Sequence, residues 1–396
     1  MRTLKTTALP VALLTAATML VACSEQADEP SASPAAREIV FAAAPAVTST
    51  SISADNSRAT IVTESLNAFH LYAFNEDNTP FIGSPGNAAN GVLFSYNNNT
   101  DNQYRIYSDG NSYLWSKDTK LSFYAFVNLG NNLTYTNADQ TSLSEYQKDP
   151  TGKIFNNIGN YYTHGTDGVS HGSGAHLYVK WTAPHDELLY AAALNKSMPD
   201  DGKVKLNFCH ALSSLDVRMT NNTQSYTFTV NSITANYLHD NGTLVFPAAD
   251  TNNAHPGFWD NVWGSFSCTV IDGTNIAVNV GETANLTSTA AGTNFFIIPS
   301  TYYKNTNQIG DSNYPYLEMK ITVSDNGGIV RNAFGIDAIN TTSDQSTLRV
   351  PLMSNDSFTF EIGKHYQLTY TINSLMEITL SATVADWTSE GWDVNV

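Results

Sequence analysis

The sequence predicts an all-β protein built as two tandem β-sandwich domains. Three observations carry that reading. Apolar residues recur at every second position along much of the chain, the period of half-buried strands. The alternating segments are short and are separated by breaks rich in Asn, Gly, Pro and Thr. No stretch shows a convincing amphipathic-helix period. A chain of 396 residues is too long for one ordinary domain, so two are expected.

Composition narrows the class. A hydrophobic fraction of 42% is enough for real cores. Charged residues make up only 14%, and Asn, Thr, Ser, Tyr and Phe carry the surface and strands, the usage of an extracellular β protein. The net charge of −17 argues against a nucleic-acid partner, because no basic patch is present to release counterions.

In chain order, residues 1–22 read as a targeting segment. Arg2 and Lys5 give a charged start, and Ala8 to Val21 an apolar core too short for a membrane span. Leu20-Val21-Ala22-Cys23 resembles a bacterial lipobox, in which the small residue before Cys admits a signal peptidase and Cys23 then carries lipid. Residues 23–37, rich in Ser, Pro, Ala and acidic side chains, read as a flexible tether.

The first sandwich is expected over residues 38–202. Its first strand runs from Glu38 to Val47, with Ile39, Phe41 and Ala43 alternating. A polar loop holding Arg58 follows, then strands at Asn67 to Phe74, Val92 to Tyr96, Gln103 to Tyr107 and Ser112 to Trp115. Leu121 to Leu129 is almost continuously apolar, as suits a strand buried on both faces. Gly130 to Gly174 is polar and without period. Ala175 to Trp181 returns to strand, and Asp186 to Ala193 is a short apolar segment.

The second sandwich is expected over residues 203–396. It opens on Val204, Leu206 and Phe208, then Leu212, Leu215 and Val217. Further strands are expected at Tyr226 to Ala235, Gly242 to Phe246, Ser265 to Ile271, Thr274 to Val280, Asn294 to Ile298, Pro315 to Val323 and Gly328 to Phe334. The clearest alternation comes last. Tyr366, Leu368, Tyr370 and Ile372 share one face; after a break at Asn373-Ser374, Ile378, Leu380, Ala382 and Val384 share another. Trp392, Val394 and Val396 form a final alternating piece, an apolar strand suited to donation to another molecule.

Catalytic and metal signatures are weak. His164, His171, His176 and His185 lie near Asp167 and Asp186, but the spacing fits neither a zinc helix nor a finger, so loop histidines are expected. The Asp/Asn-rich loops lack the EF-hand spacing. No nucleophile elbow, Walker loop or dinucleotide fingerprint is present, and neither an enzyme nor a cofactor is expected. Trp259, Trp263, Tyr161-Tyr162 and Tyr302-Tyr303 are expected mostly in cores, with His255 to Trp259 the best candidate for an exposed aromatic stretch. Cys209 and Cys268 could pair or remain buried thiols.

An ordered series of short pieces resembles the Bacteroidetes fimbrillins of the Mfa-like type. The pieces are the lipobox, Ile39-Val40-Phe41 with Arg58-Ala59-Thr60 after it, Phe69 to Phe74, Tyr113-Leu114-Trp115, Leu121 to Phe126, Asp186 to Ala191, Leu206 to Leu212, Phe295 to Pro299, Gly363 to Tyr366 and Ala382 to Trp387. The acidic residues Glu25, Asp28 and Glu29 look like surface-export signals of such lipoproteins.

The resemblance implies transthyretin-like sandwiches in an outer-membrane lipoprotein at the cell surface, anchored through Cys23 and serving as a subunit of an adhesive fimbria. It also implies an Arg-specific surface protease that cuts after an arginine beyond the first strand, here Arg58 with Arg37 as rival. The strand from Glu38 to Val47 would then be lost, and a strand of another pilin subunit, here the piece with Trp392, Val394 and Val396, would fill its groove. The alternative is an unpolymerised or tip-located surface lipoprotein that binds host glycans or proteins.

Overall fold

A computed structural model describes residues 37–44, 68–77, 79–83, 92–97, 103–106, 112–115, 119–128, 175–181, 185, 187–251, 257–287, 295–303, 314–334, 343–352 and 357–386. Among them the chain is all-β, without a helix.

The first part of the chain supplies β1 (Val40–Ala44), β2 (Ala68–Asn75), β3 (Pro80–Ile82), β4 (Val92–Asn97), β5 (Gln103–Ile106) and β6 (Leu121–Asn128). There follow β7 (His176–Lys180), β8 (Leu188–Lys196), β9 (Lys203–Asn207) and β10 (Cys209–His210). All but β7 form one nine-stranded sheet in the order β10-β8-β6-β2-β4-β5-β1-β9, with β3 also on β2. The two ends of that path, β9 and β10, are one run of chain interrupted only by Phe208. The sheet therefore curls round its own core. The apolar run expected to be buried on both faces is β6, in which every side chain from Phe123 to Val127 is buried.

The second part supplies β11 (Ser213–Asn221), β12 (Thr227–Leu238), β13 (Asn241–Val245), β14 (Phe258–Trp263), β15 (Phe266–Val278), β16 (Thr283–Asn285) and β17 (Phe295–Ile297). The remainder are β18 (Thr301–Tyr303), β19 (Tyr316–Asp325), β20 (Gly328–Ile329), β21 (Ser346–Pro351), β22 (Ser357–Thr359), β23 (Lys364–Ser374) and β24 (Glu377–Asp386). One sheet has the order β16-β11-β23-β24 with β17 on β11, and a second has β15-β12-β19-β20 with β21 on β19. Leu215, Val217 and Met219 of β11 and Leu368, Tyr370 and Ile372 of β23 meet Phe228, Val230, Met319 and Ile321 of the other sheet in one core. Of the described pairs, β1–β9 and β11–β23 are parallel and the rest antiparallel.

The two cores do not follow the chain strictly. The β9–β10 run, with Val204, Leu206 and Phe208, packs in the first core and extends the first sheet to His210. The hairpin β13–β14 pairs with β7, and Leu244 and Phe246 join the first core beside Leu177 and Val179.

Several local expectations change. Ser265 to Ile271 and Thr274 to Val280 are one strand, β15: Gly273 and Asn275, at φ 68° and 51°, are absorbed where the pairing with β12 shifts register. Trp259 lies in a strand and packs on the first core, with its Nε1–H directed at the Ala211 carbonyl. Tyr302 is buried and Tyr303 exposed. Ala382 and Val384 pair with Leu368 and Tyr366 yet are exposed; among the described residues β24 is the edge of its sheet. Cys209 packs against the first core and Cys268 lies in the second, both as free thiols.

Candidate functional site

The feature with most bearing on function is the seat of β1. Ile39, Val40 and Phe41 are β-branched or aromatic, which suits a pleated strand. All three are buried, so from Ile39 to Phe41 both faces are packed rather than the single face that Ile39 and Phe41 mark. Residues ahead of it run against Tyr113 to Trp115: the Ile39 N–H donates to the Tyr113 carbonyl (2.8 Å) and the Trp115 N–H to the Arg37 carbonyl (2.8 Å). The Arg37 guanidinium donates to the Asp200 carbonyl (2.8 Å).

The strand then lies between β5 and β9. Phe41 stands opposite Tyr104 on one side and Val204 on the other. Its ring meets Phe94, Phe123 and Phe69 edge-on, with centroids 4.9, 5.4 and 5.8 Å away. Burial of one such side chain contributes about 1.5–3 kcal/mol, and the edge-to-face contacts add to it. Loss of β1 would leave a groove floored by those three rings. It would also leave unpaired backbone groups on the facing edges of β5 and β9.

β9 depends on β1 more than β5 does. Among the described residues, β5 keeps β4 as a second neighbour, whereas β9 pairs only with β1, from Val40↔Lys203 to Ala44↔Asn207. Within β9, Val204 and Leu206 enter the core, while Lys205 and Asn207 are exposed. Two buried aliphatic side chains contribute about 3–6 kcal/mol, against about 5–10 kcal/mol to order five residues of backbone. Without β1, the strand pairing nearest to β9 among the described residues is that of its continuation. There Cys209 pairs with Tyr190, His210 with Leu189, and the Ala211 N–H donates to the Leu188 carbonyl (2.9 Å).

The residues expected to carry assembly fall outside the described residues: Cys23, Arg58, Trp392, Val394 and Val396. So do His164, His171 and Asp167; His185 is exposed. Among the described residues no group of three or more His, Cys, Asp or Glu side chains could hold a metal ion. Sequence reading missed the dependence of β9 on β1. The alternation of Val204 and Leu206 is visible, but a parallel partner so distant in sequence leaves no local signal.

Comparison with known proteins adds the following. A family model described as fimbrillin-like matches residues 54–387, beginning after β1 and ending one residue past β24. A fimbrial protein of Bacteroides vulgatus is similar at 13% identity and TM-score 0.41, over 81% of this chain and 93% of that one. The tip fimbrial protein Mfa3 of Porphyromonas gingivalis, C-terminally truncated, is similar at 10% identity and TM-score 0.30, over 81% and 94%. The fimbrial anchor protein Mfa2 of the same organism is similar at 12% identity and TM-score 0.27, over 82% and 91%. No curated protein matches this sequence.

Proposed function

The chain belongs to the fimbrillin-like family, and from that premise we propose that it is a structural subunit of an adhesive surface fimbria, assembled by protease-triggered strand exchange. The observation that carries the proposal is the seat of β1: a short strand whose Phe41 fills a core that the rest of the first sandwich surrounds. In this reading Cys23 holds the precursor to outer-membrane lipid, and an Arg-specific surface protease cuts after Arg58 and so releases β1. The segment with Trp392, Val394 and Val396 of another subunit then enters between β5 and β9. Main-chain hydrogen bonds to both edges supply affinity, and alternate side chains in the place of Ile39 and Phe41 supply register. The subunits forming the polymer are copies of this chain or other pilins, and the chain performs no catalysis.

A second reading draws on the same seat. With β1 in place Ile39 and Phe41 are buried within the first core, which fits an unpolymerised or tip-located lipoprotein that binds host glycans or proteins.

Electron microscopy of the full chain treated with an Arg-specific protease separates the two. Fibres from the parent, none from Arg58→Ala, and none from a chain truncated before Trp392 would support strand exchange. Monomers throughout, with glycan or host-protein binding by the intact chain, would support the second reading.

A further inference from the structure

We infer that the buried Glu187–His210 pair is a register pin, holding β9 in position as a wall of the groove after β1 has left. The inference rests on the strand-exchange reading and assigns these two residues a positioning role in it.

β9 and β10 are one run of chain, and only the β10 end keeps a strand partner once β1 is gone. At that end the His210 imidazole Nδ1 meets Glu187 Oε1 just ahead of β8, with both side chains buried. Burying a carboxylate and an imidazole is costly, and an apolar pair of similar volume would fill the space at less cost in desolvation. What an apolar pair lacks is a directional bond that adds to the apolar pattern in choosing one alignment. A hydrogen bond between a fixed carboxylate and a fixed imidazole is met at one offset of β10 along β8. A slip of one residue would turn Val204 and Leu206 out of the core and Lys205 into it. The pin therefore decides which side chains, and which backbone groups, β9 presents to an incoming strand. Trp259, whose indole N–H is directed at the Ala211 carbonyl, backs the same turn of chain.

The test uses the full chain with the pair replaced by apolar residues, Glu187→Leu with His210→Phe, and separately Glu187→Met. Intact subunits are compared by thermal unfolding, then cleaved with the Arg-specific protease. Backbone hydrogen exchange over β9 and fibre formation are followed. The pin predicts amide exchange across residues 203–207 at least about tenfold faster than in the cleaved parent. It predicts unchanged exchange in β6 and fibre growth slowed at least about tenfold. Parental exchange in β9 together with parental growth would overturn it. If the double variant does not fold while intact, Glu187→Met, which removes the acceptor and keeps the chain length, gives the same two readouts. A cleaved parent that forms no fibres removes the strand-exchange reading, whereas the exchange of β9 amides still decides for or against the pin.

Discussion

Phe41 and Val204 lie opposite each other in parallel register, although they come from the first strand of the first sheet and the last leg of its path. One side chain is ringed by aromatic neighbours and the other belongs to a strand with no second ladder partner among the described residues. The stability of the intact first core and its proposed readiness to exchange a strand both turn on this pairing.

Phe41→Ala should cost about 3–5 kcal/mol of stability, since it empties a fully buried aromatic site whose neighbours lie in separate strands. Denaturant unfolding of the intact chain measures it. Leu114→Ala, at an exposed position beside the same strand, should stay within about 0.5 kcal/mol of the parent. Equal losses in the two variants would mean that β1 is not seated as described.

A synthetic peptide running from Glu38 to Val47 should compete for the vacated groove. Added in excess to cleaved subunit, it is expected to keep the protein monomeric by size-exclusion chromatography. A peptide carrying Phe41→Asp should fail to do so, because it would bury an unpaired charge among Phe69, Phe94 and Phe123. Indifference of fibre growth to both peptides would argue for assembly at another surface.

The hairpin β23–β24 shows what local pattern reveals. Tyr366, Leu368, Tyr370 and Ile372 fall on one face by simple alternation, and all four are buried. Alternation groups Ala382 and Val384 with Ile378 and Leu380, but it cannot show that they pair with Leu368 and Tyr366 and yet stay exposed. Asp272-Gly273 falls in the gap between two strands expected from alternation. In the fold it is a bulge, because β12 continues past it and supplies partners on both sides. The groove was legible as a strand, Ile39 to Phe41, but its walls were not. Tyr104 and Val204 are remote in sequence from Phe41 and from each other, and pairing between remote strands is a tertiary choice.

Acid should weaken the second sandwich through His239. Burial holds its imidazole down to about 4, from 6.5. Its ring stacks on Tyr302 at 4.5 Å and shares a 2.9 Å hydrogen bond with Ser300. Between those two values the unfolded chain binds the proton that the folded chain refuses. Stability from this group is therefore complete above pH 6.5 and falls as pH drops toward 4. The thermal midpoint should decline from pH 7 to pH 5, and His239→Asn should decline less over that interval. Parallel declines would show that His239 is not held neutral.

Neither thiol should react readily while the protein is folded. Burial pushes Cys209 up to about 11 and Cys268 up to about 12, leaving little thiolate at neutral pH. A water-soluble thiol reagent at pH 8 should label both only in denaturant, and reduction should leave the mass unchanged. A mass gain of two hydrogens on reduction would instead indicate a disulfide between residues that the fold places in separate cores.

The most direct test of strand exchange is the intact mass and N-terminal sequence of the subunit recovered from assembled fibres. The account predicts a chain beginning at Ala59, without β1 and without lipid. A chain beginning at lipidated Cys23, with β1 still attached, would contradict it.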